Sequence, residues 1–100
     1  MAIKVLIRRK FKEGSLEKAT KLLIRARYAA MGMKGYISSE TLSIYNDPTH
    51  VVVISMWQTI GDWRRWADSP QRSEFNVEMQ TILEEPEKVE IYMLGMEQVF

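Results

Sequence analysis

Hydrophobic and polar residues alternate at the start of the chain, from Ala2 to Phe11. A period of two is the pattern of a strand with one buried face, so this segment predicts a first β-strand. Apolar residues then recur at steps of three and four, the period of an amphipathic helix. We expect Ser15 to be the N-cap of this helix and Gly35 to be its left-handed C-terminal residue. The apolar stripe comprises Leu16, Ala19, Leu22, Leu23, Ala26, Ala30 and Met33.

Two β-prone segments follow the helix. Residues 36–45 are rich in β-branched and aromatic side chains and end at Asn46-Asp47-Pro48-Thr49, a composition that favours a turn. The returning segment, residues 50–57, is apolar at nearly every position. We therefore predict a β-hairpin whose second strand is buried on both faces.

The last third of the chain predicts a helix broken in two and a final strand. Residues 61–67 form a short helix with its tryptophans on one face, and Ser69-Pro70 has the N-cap and first-turn pattern of the next helix. Pro86 ends that helix, and residues 89–96 supply the strand. The apolar stripe of the second helix is predicted to comprise Phe75, Met79, Ile82 and Leu83.

The predicted order is β-α-β-β-α-β, the ferredoxin-like arrangement, in one α+β domain covering residues 1–100. It gives a four-stranded antiparallel sheet with the helices on one face. The second face is expected to be apolar as well, because residues 51–56 and 91–94 do not alternate. The same face of a second copy is the simplest cover, so we predict a homodimer through the sheet face opposite the helices.

Composition excludes several classes of protein. Hydrophobic residues make up 46% and charged residues 27%, with fourteen Lys and Arg against thirteen Asp and Glu. The charge of +1 gives no indication of a nucleic-acid partner. The absence of cysteine removes disulfide and thiolate chemistry, and no apolar run is long enough to span a membrane. We expect a cytoplasmic protein without a membrane partner.

Residues 56–69, Met56-Trp57-Gln58-Thr59-Ile60-Gly61-Asp62-Trp63-Arg64-Arg65-Trp66-Ala67-Asp68-Ser69, resemble the antibiotic biosynthesis monooxygenase family. In that family a strand ends in tryptophan, and a short helix then carries an aromatic residue, a second tryptophan and a serine. The resemblance extends over essentially the whole chain in element order and length. It implies a dimeric α/β barrel whose active members oxidise aromatic polyketide-like compounds without metal or flavin. Trp66 best matches the family's pocket tryptophan.

Oxygenation without a cofactor requires an apolar pocket that binds an electron-rich phenolic compound and favours its deprotonated form. The catalytic candidates are Trp66 and Asn76, the latter as an amide donor to a substrate oxygen. The alternatives without a catalytic role are that Trp66 fills the core and that Asn76 faces solvent as an ordinary helix residue. The substrate-binding candidates are Trp63, Arg9, Tyr36 and Tyr92.

Each of these four residues can also be explained by a purely structural role. Trp63, like Trp57, is a typical core residue, and the tyrosines could simply place hydroxyls at the barrel rim. Arg9 is proposed to stabilise an enolate, although short basic clusters are usually solvated surface.

One branch of the family binds and degrades haem, with a histidine on the second helix as axial ligand. The matching position here is Asn76, and the first strand offers Arg8 or Arg9 where that branch has an asparagine. Haem chemistry is therefore disfavoured. His50 is the sole histidine and is expected to have a surface or structural role, so we predict neither a metal site nor a cofactor.

The leading hypothesis is thus a cofactor-independent monooxygenase acting on a small apolar or aromatic, phenolic or quinol-like compound in a pocket between sheet and helices. The alternative is a non-catalytic dimeric module that binds a small apolar ligand or a partner surface. A cavity of several hundred Å³ beside Trp66 would favour turnover, whereas a filled interior would favour packing.

Overall fold

A computed structural model describes residues 1–95, which form four strands and three helices. The order is β-α-β-β-α-α-β, so the predicted arrangement is confirmed, including the division of the second helix. The elements are β1 Ile3–Lys10, α1 Leu16–Met31, β2 Tyr36–Ile44, β3 Asp47–Trp57, α2 Ile60–Ala67, α3 Pro70–Gln80 and β4 Lys88–Met93.

The four strands form one antiparallel sheet in the order β2-β3-β1-β4. The first strand is therefore central, with Val5 directly opposite Ser55 of β3 on one side and Ile91 of β4 on the other. Directly opposed side chains lie on the same face of a sheet. The register therefore assigns every strand residue to the helix-bearing face or to the opposite face, here called the second face.

The alternation in β1 places Ile3, Val5 and Ile7 on the helix-bearing face, where each is buried. These side chains pack with Trp57, Trp63, Trp66 and Ala30 into one hydrophobic cluster. A second cluster lies near the C-terminal end of β1 and comprises Phe11, Ala19, Leu22, Met79 and Ile82. The sequence prediction of a single-sided helical layer is confirmed by this burial pattern.

The second face carries a strip of apolar side chains at its centre. Leu6 of β1 lies opposite Ile54 of β3, and the neighbouring Val52 lies opposite Leu42 of β2. These side chains are half-buried or exposed in the single chain. Charged residues frame the strip, with an ion pair between Arg8 and Glu90 (2.7 Å). This face is thus less uniformly apolar than the sequence predicts.

Strand β4 alternates in the structure. Its Val89, Ile91 and Met93 lie on the helix-bearing face and are each more than 40% exposed, because the helices do not extend over this edge of the sheet. Its Lys88, Glu90 and Tyr92 lie on the second face. The predicted strand extended to Met96, which lies outside the described residues.

The hairpin turn is shorter than predicted. Tyr45 and Asn46 alone form the turn, and Asp47 already pairs with Ile44 as the first residue of β3. The Asp47 carboxylate accepts hydrogen bonds from the Thr49 amide (3.2 Å) and hydroxyl (2.6 Å). Pro48 is tolerated because it lies next to the start of the strand.

Two predicted cap residues play other roles. Helix α1 ends at Met31, with Gly32 in a right-handed conformation as its C-cap; Gly35, at φ +85°, lies in the turn before β2. Ser15 precedes α1 as predicted, but its side chain does not cap the helix; the hydroxyl donates to the Lys12 carbonyl at 2.6 Å.

Helix α3 ends at Gln80, earlier than its apolar stripe predicts. Ile82 and Leu83 therefore lie beyond the helix, where Leu83 forms an isolated β-bridge with Phe11. The side chains of Ile82 and Leu83 still pack in the second hydrophobic cluster, so their spacing in the sequence continues the apolar stripe although the helix has ended. No helix among residues 1–95 is long and apolar enough to cross a membrane.

Candidate functional site

A cavity of about 70 Å³ lies between the helix-bearing face of the sheet and the three helices. Its lining includes two exposed residues, Arg27 of α1 and Thr41 of β2, so the cavity opens to solvent between these two elements. Five of the six predicted site residues line it: Arg9, Tyr36, Trp63, Trp66 and Asn76. The predicted location beside Trp66 matches, but the volume is well below several hundred Å³.

Tryptophans form one wall of the cavity. Helix α2 begins after Thr59, whose hydroxyl accepts a hydrogen bond from the Asp62 amide at 3.1 Å. Trp63 and Trp66 are three residues apart in this helix, so both point towards the sheet, and they are 4% and 5% exposed. The fully buried Trp57 packs edge-on against Trp63, with ring centres 6.1 Å apart.

The polar groups of Trp57 and Tyr36 in this aromatic wall have hydrogen-bond partners. The Trp57 indole donates to the Ser55 hydroxyl at 3.0 Å. Tyr36 packs edge-on against Trp57 at 5.5 Å, and its hydroxyl shares a hydrogen bond with the Ser39 hydroxyl at 2.6 Å. Because a hydroxyl both donates and accepts, this pair can still offer one donor to a ligand.

Helix α3 contributes Asn76 and Arg72 from one face, because the two residues are four positions apart. The helix start is fixed by Ser69, which accepts a hydrogen bond from the Arg72 amide at 3.2 Å, and by Pro70 in the first turn, as predicted. Asn76 is half-buried and lines the cavity, so it does not face solvent alone. Arg72 is not among the site residues that the sequence predicts.

A charged cluster lies at the cavity, formed by Arg9, Arg72 and Glu87. Arg9 Nε donates to Glu87 Oε2 at 2.8 Å, and Arg72 Nη2 donates to Glu87 Oε1 at 3.4 Å. The Arg72 guanidinium also stacks over the Trp63 ring, 5.4 Å from its centre. Burial lowers the pKa of Arg9, Glu87 opposes this effect, and the nearby Arg72 cation adds to it.

Tyr92, the sixth predicted residue, lies on the second face and is not brought together with the others. Its hydroxyl donates to Glu90 Oε2 at 2.8 Å, which raises the pKa of Tyr92. His50 pairs with Asp47 near the hairpin, as expected for a structural histidine. Within residues 1–95, no cluster of three or more His, Cys, Asp or Glu side chains is placed to hold a metal ion.

A larger groove of about 340 Å³ lies at the hairpin end of the sheet. Its lining includes basic side chains of the second face, Arg8, Lys10 and Lys88, together with His50. The smaller cavity is the better candidate site, because it is walled by buried aromatic rings and contains most of the predicted residues.

Comparison with known protein families identifies one match. The family model described as antibiotic biosynthesis monooxygenase matches residues 2–78. A conserved protein from Methanosarcina mazei Go1 has a similar structure, with a TM-score of 0.89 and 16% identity over 95% of this chain and 94% of that one.

Two further structures have descriptive names. One is a putative antibiotic biosynthesis monooxygenase from Nitrosomonas europaea (TM-score 0.85, 16% identity, 91% of this chain and 88% of that one). The other is SnoaB, a cofactor-independent oxygenase from Streptomyces nogalater (TM-score 0.86, 12% identity, 95% and 94%). At these identities the similarity establishes the fold. No curated protein sequence matches the chain.

Proposed function

Because the chain belongs to the antibiotic biosynthesis monooxygenase family, we propose that it is a cytoplasmic, cofactor-independent monooxygenase. The substrate is a small aromatic compound of phenolic or quinol-like chemistry, bound in the cavity beside Trp66. Support for oxygen chemistry comes from the family and from the structural similarity to SnoaB, which is described as a cofactor-independent oxygenase.

The observation that carries the proposal is the combination of aromatic walls with a few convergent polar groups in one cavity. Trp63 and Trp66 provide apolar surface for a planar ring, while Arg9 and Asn76 provide N–H donors. Cavities with this balance bind small organic molecules, since the apolar walls give affinity and the few polar groups give orientation.

The proposed chemistry is oxygenation of a carbon activated by a neighbouring phenol. Loss of a proton from the substrate gives a carbanion whose charge is shared with its oxygen, and the Arg9 cation and the Asn76 amide stabilise that oxygen. The anion reduces O₂ and forms a C–O bond to it, giving a hydroperoxide after protonation. The remaining hydrogen on that carbon then leaves with the outer oxygen of the hydroperoxide as water and C=O is formed, so that one oxygen atom enters the product and the other leaves as water.

The volume of the cavity restricts the substrate. About 70 Å³ is smaller than the ~150 Å³ apolar cavity that accommodates one benzene ring in an engineered protein. We therefore propose a substrate with a single ring, whose binding displaces lining side chains at the mouth, such as Arg27. The same small volume favours a second candidate function, a non-catalytic module that binds a small apolar ligand.

Oxygen uptake separates the two functions. The purified protein is mixed with alkyl-substituted hydroquinones and with anthrone; oxygen uptake is measured with an electrode under air, and incorporation of ¹⁸O into the product is measured by mass spectrometry in a parallel reaction under ¹⁸O₂. The proposal predicts incorporation of one labelled atom and faster uptake with the one-ring compounds. Trp66→Phe should slow turnover, whereas Arg64→Gln, on the exposed side of α2, should not. Binding of the same compounds without oxygen uptake would favour the non-catalytic module.

We also propose that two copies associate through the second face. The half-buried strip around Leu6, Val52 and Ile54 would leave apolar surface in contact with water in a single chain. A two-fold axis through the strip would cover it with its own counterpart, and the charged frame would form the rim. The cavity lies on the other side of the sheet, so dimer formation and ligand binding use separate surfaces.

A further inference from the structure

The charged cluster beside Trp63 indicates a property of the ligand that the family does not specify. We propose that the cavity binds a one-ring aromatic compound carrying a carboxylate, and that Arg9 and Arg72 bind this carboxylate. This inference rests on the proposed function for the location of the site and names the substrate class that the site selects.

The charges of the cluster do not balance. The cluster contains two guanidinium cations and one carboxylate, and the side chains of Arg9, Arg72 and Glu87 are only 7%, 11% and 23% exposed. Glu87 offers one oxygen to each arginine, so it neutralises one of the two charges. A cation removed from water needs an anionic partner, and the partner of the second cation is missing within residues 1–95.

Most N–H groups of the two guanidinium groups make no hydrogen bond to the described residues. Each guanidinium has five N–H groups, and among the described residues Arg9 and Arg72 each donate one side-chain hydrogen bond, both to Glu87. In the same residues no fully buried side-chain nitrogen or oxygen lacks a partner, so the unpaired guanidinium nitrogens of Arg9 and Arg72 each retain some exposed surface. Both arginines line the cavity, so we expect these donors to be accessible to a ligand bound there.

The charged residues of the cavity wall are all basic. Three arginines line the cavity, namely Arg9, Arg72 and Arg27 at its mouth, whereas no aspartate or glutamate is among its lining residues. Even with Glu87 paired to two of them, the charged groups at the cavity include more cations than anions, which favours an anionic ligand over a neutral one of equal shape. A carboxylate also fits the planar fork of a guanidinium, which can donate two parallel hydrogen bonds to it.

The positions of the rings indicate how such a ligand lies. The Arg72 guanidinium covers one face of Trp63, so a carboxylate bound to Arg72 lies at the tryptophan end of the cavity. The aromatic ring attached to it then extends along Trp66 and Phe75, which line the same cavity.

The test compares two ligands that differ in charge. Salicylate and salicylamide have the same ring and hydroxyl, and nearly the same shape, but only salicylate is an anion at neutral pH. Their affinities for the full chain are measured by isothermal titration calorimetry at low and high salt. We expect salicylate to bind about tenfold more tightly, or better, at low salt. The preference should disappear in Arg72→Gln and persist in Arg64→Gln, which removes an equal charge from the exposed side of α2.

A second variant separates loss of the carboxylate site from unfolding of the protein. Arg72→Lys keeps the charge and loses the planar fork, so it should retain part of the preference, and circular dichroism establishes that each variant is folded. Equal affinities for the two ligands, no binding of either, or a preference that survives in Arg72→Gln would each overturn the inference. If the protein consumes oxygen with neutral quinols but shows no preference for salicylate, the proposed function holds and the carboxylate site is wrong. If it binds salicylate selectively but consumes no oxygen with any compound, the carboxylate site holds and the proposed function is wrong.

Discussion

The Asp62 carboxyl group lies where a side chain on Gly35 would have to be. A Cβ built on Gly35 would approach Asp62 Cγ to 2.2 Å, and Gly35 has φ +85°, in the left-handed region. The Gly35 carbonyl also accepts a hydrogen bond from the Gln58 amide at 2.8 Å. The turn before β2 is thus packed directly onto the start of α2, the helix that carries Trp63 and Trp66.

Gly35→Ala should therefore destabilise the protein strongly. The left-handed conformation costs about 1–2 kcal/mol for alanine, and the overlap with Asp62 raises the expected loss to about 3 kcal/mol or more. Gly14→Ala is the matched control, because Gly14 has φ +80° with open space around it and should lose only about 1 kcal/mol. Urea denaturation measures both losses, and equal losses would show that Asp62 moves aside easily.

The two serines that the sequence suggests as N-caps should differ in their contributions. The Ser69 hydroxyl accepts from the Arg72 amide, so Ser69→Ala should lower the free energy of unfolding by about 1 kcal/mol. Ser15→Ala should cost less, since the Ser15 side chain makes no hydrogen bond to α1 and only an exposed one to Lys12. A larger loss at Ser15 than at Ser69 would contradict the assigned roles.

Acid should weaken the hairpin through Asp47. Hydrogen bonds from the Thr49 side chain, and then from His50, lower the pKa of Asp47 from 3.8 to about 2. A depressed pKa gives a stabilising contribution that is complete above pH 3.8 and is lost as the pH falls through about 2. The difference in unfolding free energy between wild type and Asp47→Asn should shrink across this window. In Thr49→Val the loss should be smaller and should end at a higher pH, because the main cause of the shift is removed and the pKa of Asp47 lies closer to 3.8.

Association through the second face can be tested with two identical substitutions. Val52→Lys places a charge in the apolar strip and should convert dimers into monomers, as measured by sedimentation velocity at micromolar concentration. Val77→Lys is the control, because Val77 is 68% exposed on α3 and lies away from the strip. A wild-type protein that sediments as a stable monomer would contradict the proposed dimer.

The elements and the aromatic wall could be predicted because their signals are local. Trp63 and Trp66 share a face through their spacing within one short helix, and the alternation of β1 identifies its buried side. The sequence predicts a turn over residues 46–49, whereas Asp47 begins β3, because Asp-Pro favours turns as well as the start of a strand. In such cases hydrogen bonding across the hairpin, which sequence composition does not reveal, sets the boundary.

The polar part of the site depends on contacts between distant segments. Residues 91–94 are all apolar, so their pattern does not show which side chains face the helices; only the pairing of Ile91 with Val5 places Tyr92 on the second face. Arg72 and Glu87 were missed because their association with Arg9 joins a helix, a loop and the first strand. The spacing of Arg72 four residues before Asn76 was the one local signal available.

The charged cluster leads to a final prediction about stability in the absence of ligand. Glu87→Gln leaves Arg9 and Arg72 without their shared anion, so the free energy of unfolding should fall by about 2 kcal/mol. Adding Arg72→Gln removes the repulsion between the two cations, so the double variant should lose less than the sum of the single variants. Glu84→Gln is the control: its partner Lys10 lies 3.9 Å away at a more exposed position, and the loss should stay below about 1 kcal/mol. Additive losses in urea denaturation would mean that Glu87 and Arg72 are not energetically coupled, and the excess positive charge would then be screened by solvent.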